Sequence, residues 1–289
     1  AVGALIPQLV PEDRLTKVNA TNSSIQSLVM LISPMLSGAL LAVATIETIF
    51  LLDVITAVIG VLILLLFLSV PAHAKAREKQ TISYFEDMRE GLEYIRNHDY
   101  VKAFFLFCAM FFILAAPVAF LTPLQVTRSF GNEVWRLTAI EVVFSVGMMA
   151  GGFIMVYWGG FKNKVHTMTL ATLIIGSGTF ALGMIPSFGI YLIFMGVIGV
   201  SMPVFNTPAT VLLQQKVEEA FLGRVFGVLS MISSSMMPLG MLVFGPVADV
   251  IKIEWLLIGT GLLLMAQSLF LLRNRALVEA GRTGVVDHL

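Results

Sequence analysis

Long apolar segments separated by short polar ones make up most of this sequence. Eight stretches approach or exceed the ~20 mainly apolar residues that an α-helix needs to cross the hydrocarbon core of a bilayer. They cover residues 23–45, 48–70, 103–124, 136–157, 166–186, 188–213, 225–248 and 254–272. Residues 1–9 look like the end of another such segment. The pattern predicts an all-α membrane protein in which short turns connect the spanning helices.

One long hydrophilic passage, residues 71–102, interrupts this pattern and holds twelve of the thirty-six charged residues. Within it, Ser83 and Glu86 have the spacing of a capping box, whose side chains bind the free amides of a helix N-terminus. An apolar stripe runs along the same passage at three- and four-residue steps: Ile82, Phe85, Met88, Leu92 and Ile95. We predict an amphipathic helix that joins two membrane-embedded halves. It is either a solvated connector or a helix lying on the membrane or on helix ends.

The positive charges predict the orientation of the chain in the membrane. If residues 71–102 are cytoplasmic, alternation places residues 10–22, 158–165, 214–224 and the C-terminal tail on the same side. These segments carry fifteen of the eighteen Lys and Arg residues. The opposite side carries the remaining three, which are Arg128, Arg136 and Lys252. Lys and Arg collect on the cytoplasmic side of membrane proteins, so we predict a multi-pass protein with a cytoplasmic linker and C-terminus.

Composition agrees with a membrane protein and excludes several other classes. The chain has 57% hydrophobic and 12% charged residues, against about 25% charged in soluble domains, and a mean hydropathy of +0.91. A formal net charge of zero gives no electrostatic basis for binding nucleic acid. The single cysteine, Cys108, lies in a predicted helix and favours an inert buried thiol. The four histidines lack metal-ligand spacing and no phosphate-binding loop precedes a helix, so we expect no cofactor, no metal site and no enzyme activity.

A weak internal repeat organises the predicted helices. Residues 10–18 can be laid on residues 217–225 at an offset of 207, so that Val, Glu, Leu, a basic residue and Val recur in register. Each copy is a polar loop leading into a spanning helix. If the repeat extends over the whole protein, it predicts two six-helix halves. Four helices of the first half would then precede the first residue of this sequence. We therefore predict the end of an N-terminal bundle over residues 1–70, a linker over 71–101 and a C-terminal bundle with a tail over 102–289.

Two acidic residues lie inside predicted spans, where charge is costly and commonly functional. Glu141 lies six residues after Trp135, and it shares a helix face with Thr138 and Ser145. We regard Glu141 as a candidate proton-binding residue; the alternative is a hydrogen-bonded anchor near the outer interface. Asp53 lies at a similar depth among aliphatic neighbours and is the weaker candidate.

Polar side chains at helical spacing indicate a possible cavity wall on two other segments. The candidate substrate contacts are Gln26, Met30, Ser33, Asn206 and Thr210. Packing between helices explains such stripes as readily as ligand contact does. Gly147 and Gly151 form a GxxxG pattern, which permits close contact between helices.

Several motifs resemble the macrolide-efflux branch of the major facilitator superfamily, drug:proton antiporters related to enterobactin exporters. The resemblance begins at Pro7-Gln8-Leu9-Val10-Pro11-Glu12-Asp13-Arg14-Leu15-Thr16-Lys17. It continues through Ile32-Ser33-Pro34, Phe50-Leu51-Leu52-Asp53-Val54-Ile55 and Ile140-Glu141 to Leu222-Gly223-Arg224-Val225. Antiporters of this superfamily carry a Gly-Pro-x-x-Gly-Gly pattern in the fifth helix, of which Pro34 and Gly38 remain here. The resemblance implies helix-packing roles for Pro34 and Gly38 and a loop role for Gly223 and Arg224.

The resemblance also implies a function. It predicts a major facilitator fold with about eight of its twelve transmembrane helices in this chain. Such a protein would export hydrophobic drugs such as macrolides in exchange for protons, by alternating access between two bundles. Its partners would be the lipid bilayer, a small hydrophobic substrate and protons, and it would act as a monomer. A siderophore exporter or importer on the same fold, and a membrane receptor or scaffold without transport, are the alternatives.

The predicted orientation can be tested with cysteines placed at Lys79 and Lys164. Both positions are expected on the cytoplasmic side, so a membrane-impermeant thiol reagent should label them only after the cells are opened. Labelling of both cysteines in intact cells would contradict this topology.

Overall fold

The computed structural model describes residues 10–11, 14–67, 84–131 and 133–281. All regular elements within these residues are helices. They are α1 (Leu15–Val43), α2 (Ile46–Phe67), α3 (Tyr84–Asn97), α4 (Asp99–Phe120), α5 (Thr122–Phe130), α6 (Val134–Trp158), α7 (Lys164–Leu182), α8 (Phe188–Lys216), α9 (Glu219–Val250), α10 (Ile253–Arg273) and α11 (Arg275–Ala280). The prediction of an all-α protein is confirmed.

Six segments of the described part are long and apolar enough to cross a membrane. They are Asp99–Phe130, Trp135–Trp158, Lys164–Leu182, Phe188–Lys216, Glu219–Val250 and Ile253–Arg273. Each contains most or all of one predicted span. The other two predicted spans, residues 23–45 and 48–70, fall largely on α1 and α2; residues 68–70 lie outside the described part.

The predicted span 103–124 is two helices rather than one. α4 ends at Phe120, Leu121 adopts a turn, and α5 begins at Thr122 with Pro123 in its first turn. Proline lacks the amide hydrogen that a helix interior requires, but it is tolerated in a first turn. Pro123 therefore explains why the chain restarts as a new helix at this point.

Small residues bring α6 and α8 into close contact. A Cβ atom on Gly147 would clash with the carbonyl oxygen of Gly196, and one on Gly151 would clash with that of Val200. The reverse contact is equally close, since a Cβ atom on Gly199 would clash with the carbonyl oxygen of Phe144. Helices in lipid associate through such small-residue packing rather than through the hydrophobic effect. The GxxxG pattern of α6 therefore lies at its interface with α8.

Aromatic side chains fill the interior of the helix bundle. Phe111 of α4 stacks on Phe205 of α8 with ring centroids 4.7 Å apart, and Phe107 lies 5.9 Å from the same ring. The Nε2 atom of Gln267 on α10 donates to the carbonyl oxygen of Phe107 at 2.7 Å. These contacts join α4, α8 and α10 into one core, and they bury Cys108 among apolar neighbours.

The amphipathic helix α3 packs on the start of α9, but its buried face differs from the predicted stripe. Leu92 is 52% exposed, whereas Gly91, Tyr94 and Ile95 are buried. The stripe was wrong at Leu92 because Tyr94 stacks on Phe221 of α9, at 4.6 Å between ring centroids, and this contact sets the rotation of the helix. Ile82 and Ser83 lie outside the described residues, as do the side chains at positions 85 and 88.

The α6–α8 contact predicts a large effect of a single methyl group. Gly151→Ala should destabilise the protein by about 1–3 kcal/mol, because the methyl group would overpack a backbone contact. Thermal unfolding in detergent can be followed through the reaction of the buried Cys108 with a thiol-reactive dye.

Gly259→Ala is the matched control, since a Cβ atom at this exposed position of α10 meets nothing within 4 Å. It should leave the unfolding temperature unchanged or raise it, because alanine favours helix over glycine. Equal unfolding temperatures for the two variants would show that the α6–α8 contact accommodates a methyl group.

Candidate functional site

The main cavity of the described bundle lies between α4–α5, α6 and α8, with one residue each from α7 and α9. Its volume is about 690 Å³, within the range of about 300–1,000 Å³ that is usual for small-molecule sites. The lining residues are mostly apolar: Ala115, Val118, Ala119, Thr122, Pro123, Leu137, Thr138, Ile140, Glu141, Val142, Phe144, Ser145, Ile175, Met195, Ile198, Met202 and Met237.

Glu141 is the charged residue in this lining. It lies on α6 between Thr138 and Ser145, and all three side chains line the cavity. Their spacing of three and four residues places them on one helix face. Thr138 and Glu141 are exposed, whereas Ser145 is 7% exposed. The acid therefore stands in the open part of the cavity, and the polar strip leads from it toward the packed part of α6.

Methionines from two helices form part of the apolar wall. Met195 and Met202 come from α8 and Met237 comes from α9. Methionine has an unbranched, polarizable side chain that adapts to irregular neighbours. The cavity can therefore adjust its shape to bulky apolar molecules, while Glu141 supplies one carboxyl group for a cation, a hydrogen-bond donor or a proton.

Gln26, Ser33, Asn206 and Thr210, which were predicted as substrate contacts, are not among the described residues that line this cavity. Gln26 and Ser33 are exposed on α1, and the side chain of Met30 lies outside the described part. Asn206 is exposed and Thr210 half-buried on α8, about one to two turns beyond the last cavity residue of that helix.

The remaining predicted residues lie elsewhere in the chain. Asp53 is exposed on α2, and Thr56 donates to its backbone carbonyl oxygen at 2.9 Å. Pro34 and Gly38 fall within α1, with no described side-chain contact. Gly223 is exposed, whereas Arg224 forms an ion pair with Glu90 of α3 at 3.2 Å.

A second region, the α1 seam, was missed by sequence reasoning. We define it as the contact of residues 15–24 with α6, α7 and α8. Asn19 Nδ2 donates to Gln214 Oε1 at 2.7 Å, and both side chains are buried. Ser24 packs directly on Gly152 of α6. Gln214 belongs to a polar stripe visible in the sequence, but its partner on α1, 195 residues away, could not be identified from spacing alone.

A second hydrogen-bonded contact of the α1 seam lies at the N-terminal end of α1. Lys164 Nζ, at the start of α7, donates to Thr16 Oγ1 and to the carbonyl oxygen of Gly159, both at 3.2 Å. Beyond Ser24, five described large apolar side chains of α1 are exposed, namely Ile25, Leu28, Val29, Ile32 and Leu36, and Leu40 is half-buried. The described side-chain contacts of α1 therefore lie beside the second half of α6, which holds Gly152, whereas Glu141 and the cavity lie in its first half.

A second acid, Glu133, lies just before the start of α6. Glu133 precedes the helix and accepts hydrogen bonds from Trp135 Nε1 at 2.8 Å and Arg136 Nε at 3.0 Å. These hydrogen bonds and the Arg136 charge hold the pKa of Glu133 below its usual value. Glu133 is therefore a fixed anion, which leaves Glu141 as the carboxyl group of α6 that is available to a ligand. Among the described residues, no group of three or more His, Cys, Asp or Glu side chains could hold a metal ion.

Comparisons with known proteins agree with this architecture. The family model described as Major Facilitator Superfamily matches residues 1–241. Macrolide efflux protein A of Streptococcus pyogenes is 27% identical over 267 residues, which are 91% of this chain and 66% of that protein. Macrolide efflux protein A of Enterococcus faecalis is 28% identical over 243 residues, 83% of this chain and 75% of that protein.

A Bacillus subtilis relative, described as an uncharacterized MFS-type transporter, YvqJ, is 25% identical over 85% of this chain and 59% of its own length. This chain therefore spans about two-thirds of the length of the relatives that it matches. The family match covers more than four-fifths of the chain, and it agrees with the all-helical bundle and its six membrane-length segments. The chain belongs to the Major Facilitator Superfamily of membrane transporters.

Proposed function

We propose that this protein exports hydrophobic drugs, macrolides among them, by alternating access coupled to protons. The observation that carries the proposal is the apolar cavity of about 690 Å³ with Glu141 in its wall, in a chain of this superfamily. Its relatives named Macrolide efflux protein A support the choice of substrate class.

The lining of the cavity suits a bulky apolar substrate. Aliphatic side chains and the three methionines gain van der Waals contacts and bury apolar surface when such a molecule enters. Thr138 and Ser145 offer hydroxyl groups beside Glu141, so a polar group on the substrate has a defined place to bind. An apolar pocket with a few convergent polar groups is the usual form of a small-molecule site.

The α1 seam supports the alternating-access part of the proposal. α1 and α6 touch beside Ser24 and Gly152, whereas the cavity and Glu141 lie in the other half of α6. This arrangement is expected for a state in which one end of the transporter is closed and the other open. Opening the closed end would require the Asn19–Gln214 and Thr16–Lys164 hydrogen bonds to break.

Glu141 is the proposed site of proton coupling. It is exposed in the cavity, so a proton can reach it, and its protonation would remove the negative charge from an otherwise apolar wall. A ligand or proton that binds one conformational state better than the other shifts the equilibrium between them. Asp53 is the weaker candidate because none of the described residues that line this cavity comes from its helix, α2.

Glu141→Gln should separate binding from coupling. The amide keeps the shape of the side chain but cannot titrate, so drug binding should persist while proton-driven drug transport falls at least tenfold. Drug binding can be measured on the purified protein, and transport can be measured in inverted membrane vesicles over a range of pH.

Asp53→Asn serves as the matched control, because it makes the same chemical change in an exposed acid outside the cavity. It should retain most of the transport activity. If Glu141→Gln transports drug normally at all pH values, Glu141 has a structural role; if wild-type vesicles show no drug-dependent proton movement, the proposed exchange itself is wrong.

The α1 seam can be tested with a cysteine at Ser24 as a reporter of opening. Gln214→Leu removes a buried hydrogen bond, which contributes about 1–1.5 kcal/mol, so labelling of the reporter should accelerate about tenfold. Gln215→Leu makes the same change one residue further along α8 and should have little effect. Equal labelling rates in both backgrounds would show that the Asn19–Gln214 contact does not hold the seam closed.

A further inference from the structure

A second pocket lies at the end of the bundle opposite α3. It has a volume of about 490 Å³ and lies between α5, the end of α7 and the start of α10. Three charged residues line it: Arg128 in the last turn of α5, Lys252 immediately before α10, and Glu254 in the first turn of α10. None of the residues that line this outer pocket lines the main cavity.

Hydrogen bonds among α5, α7, α8 and α10 hold the outer pocket in shape. Gln125 Nε2 donates to the carbonyl oxygen of Leu182 at the end of α7, at 3.0 Å, and the hydroxyl of Tyr191 donates to Gln125 Oε1 at 2.9 Å. Ser129 Oγ donates to Glu254 Oε1 at 3.0 Å, which ties α5 to α10. The pocket is therefore built from partners distant in sequence rather than from one loop.

The two cations of the outer pocket, Arg128 and Lys252, are unusual in their position along the chain. In the topology predicted from the sequence, three Lys and Arg residues lie on this side of the membrane, and Arg128 and Lys252 are two of them. The third, Arg136, forms an ion pair with Glu133 at 3.0 Å. Within the part of the chain that the structure describes, neither Arg128 nor Lys252 has an ion-pair partner. Lys252 also precedes the positive end of the α10 dipole, so the helix adds to the positive potential instead of neutralising it.

We propose that the outer pocket binds the phosphate headgroup of an anionic phospholipid. Arg128 and Lys252 would hold the phosphate oxygens, which form charge-assisted hydrogen bonds with cationic side chains. The pocket lies at the ends of membrane-length helices, at the level of lipid headgroups. Trp255, which also lines the pocket, is 64% exposed, and tryptophan is characteristic of the membrane interface. The acyl chains would follow the exposed apolar surface of α10.

The charge and the hydrogen-bonding capacity of Glu254 favour one class of phospholipid headgroup. With Arg128 and Lys252 it gives the lining a formal charge of +1, which matches a phosphate that carries a single negative charge. Its carboxylate accepts a hydrogen bond from Ser129 and has room to accept another from a headgroup hydroxyl. A glycerol headgroup on the phosphate provides both features, so phosphatidylglycerol is the probe that fits the pocket best.

The proposal can be tested by lipid binding to the purified protein in detergent. Phosphatidylglycerol should raise the thermal unfolding temperature more than phosphatidylcholine or phosphatidylethanolamine does, and native mass spectrometry should show it retained. Arg128→Gln combined with Lys252→Gln should weaken its binding about tenfold or more, because two phosphate contacts are lost.

Two further variants separate loss of the pocket from loss of the fold. Arg128→Lys with Lys252→Arg keeps both charges and should preserve the preference for phosphatidylglycerol. Arg136→Gln removes the third cation of this face, outside the pocket, and should also preserve it. An equal preference for phosphatidylglycerol in the wild type and the double Gln variant would overturn the proposal. Stabilisation by glycerol phosphate without acyl chains at comparable concentration would show a soluble phosphate ligand, which would overturn the assignment to lipid.

Discussion

The close contact between α6 and α8 is the constraint on which the rest of the described bundle depends. Gly147 and Gly151 let the backbones of the two helices meet, and the next residue, Gly152, receives Ser24 of α1 on a different side of α6. Because lipid gives helices no hydrophobic reason to associate, these small residues decide which helices touch. α6 is thereby fixed between α1 and α8, and its first half is left to form the wall that carries Glu141.

The same helix, α6, therefore links the main cavity to the α1 seam. Glu141 and Gly152 are eleven residues apart, about 16 Å along the helix at 1.5 Å per residue. One continuous helix, and no loop, therefore connects the cavity that holds Glu141 to the α1 seam. A rotation of α6 together with α8 would alter both places at once, which is the mechanical basis of the proposed coupling.

The helix α3 provides a further contact, at the start of α9. Glu90 pairs with Arg224, Gly91 lets α3 approach that arginine, and Tyr94 stacks on Phe221. Tyr94 also accepts a hydrogen bond from the backbone amide of Glu218 at 3.3 Å. Gly223 and Arg224, which the resemblance placed in a loop, thus lie in the first two turns of α9, and Arg224 is in contact with α3. A movement of α3 would therefore be transmitted to the start of α9.

The sequence by itself determined the helices, because stretches of apolar residues long enough to span a bilayer leave little choice of secondary structure. It also determined the polar strip of Glu141, Thr138 and Ser145, since helical spacing fixes a shared face. Only the tertiary structure decided which faces meet. It brought Asn19 to Gln214 and placed Gln26, Ser33 and Asn206 outside the described lining of the main cavity, because helix rotation and packing partners depend on side chains far apart in the chain. For the same reason Leu92 points outward: the stacking of Tyr94 on Phe221, and not the apolar stripe, sets the rotation of α3.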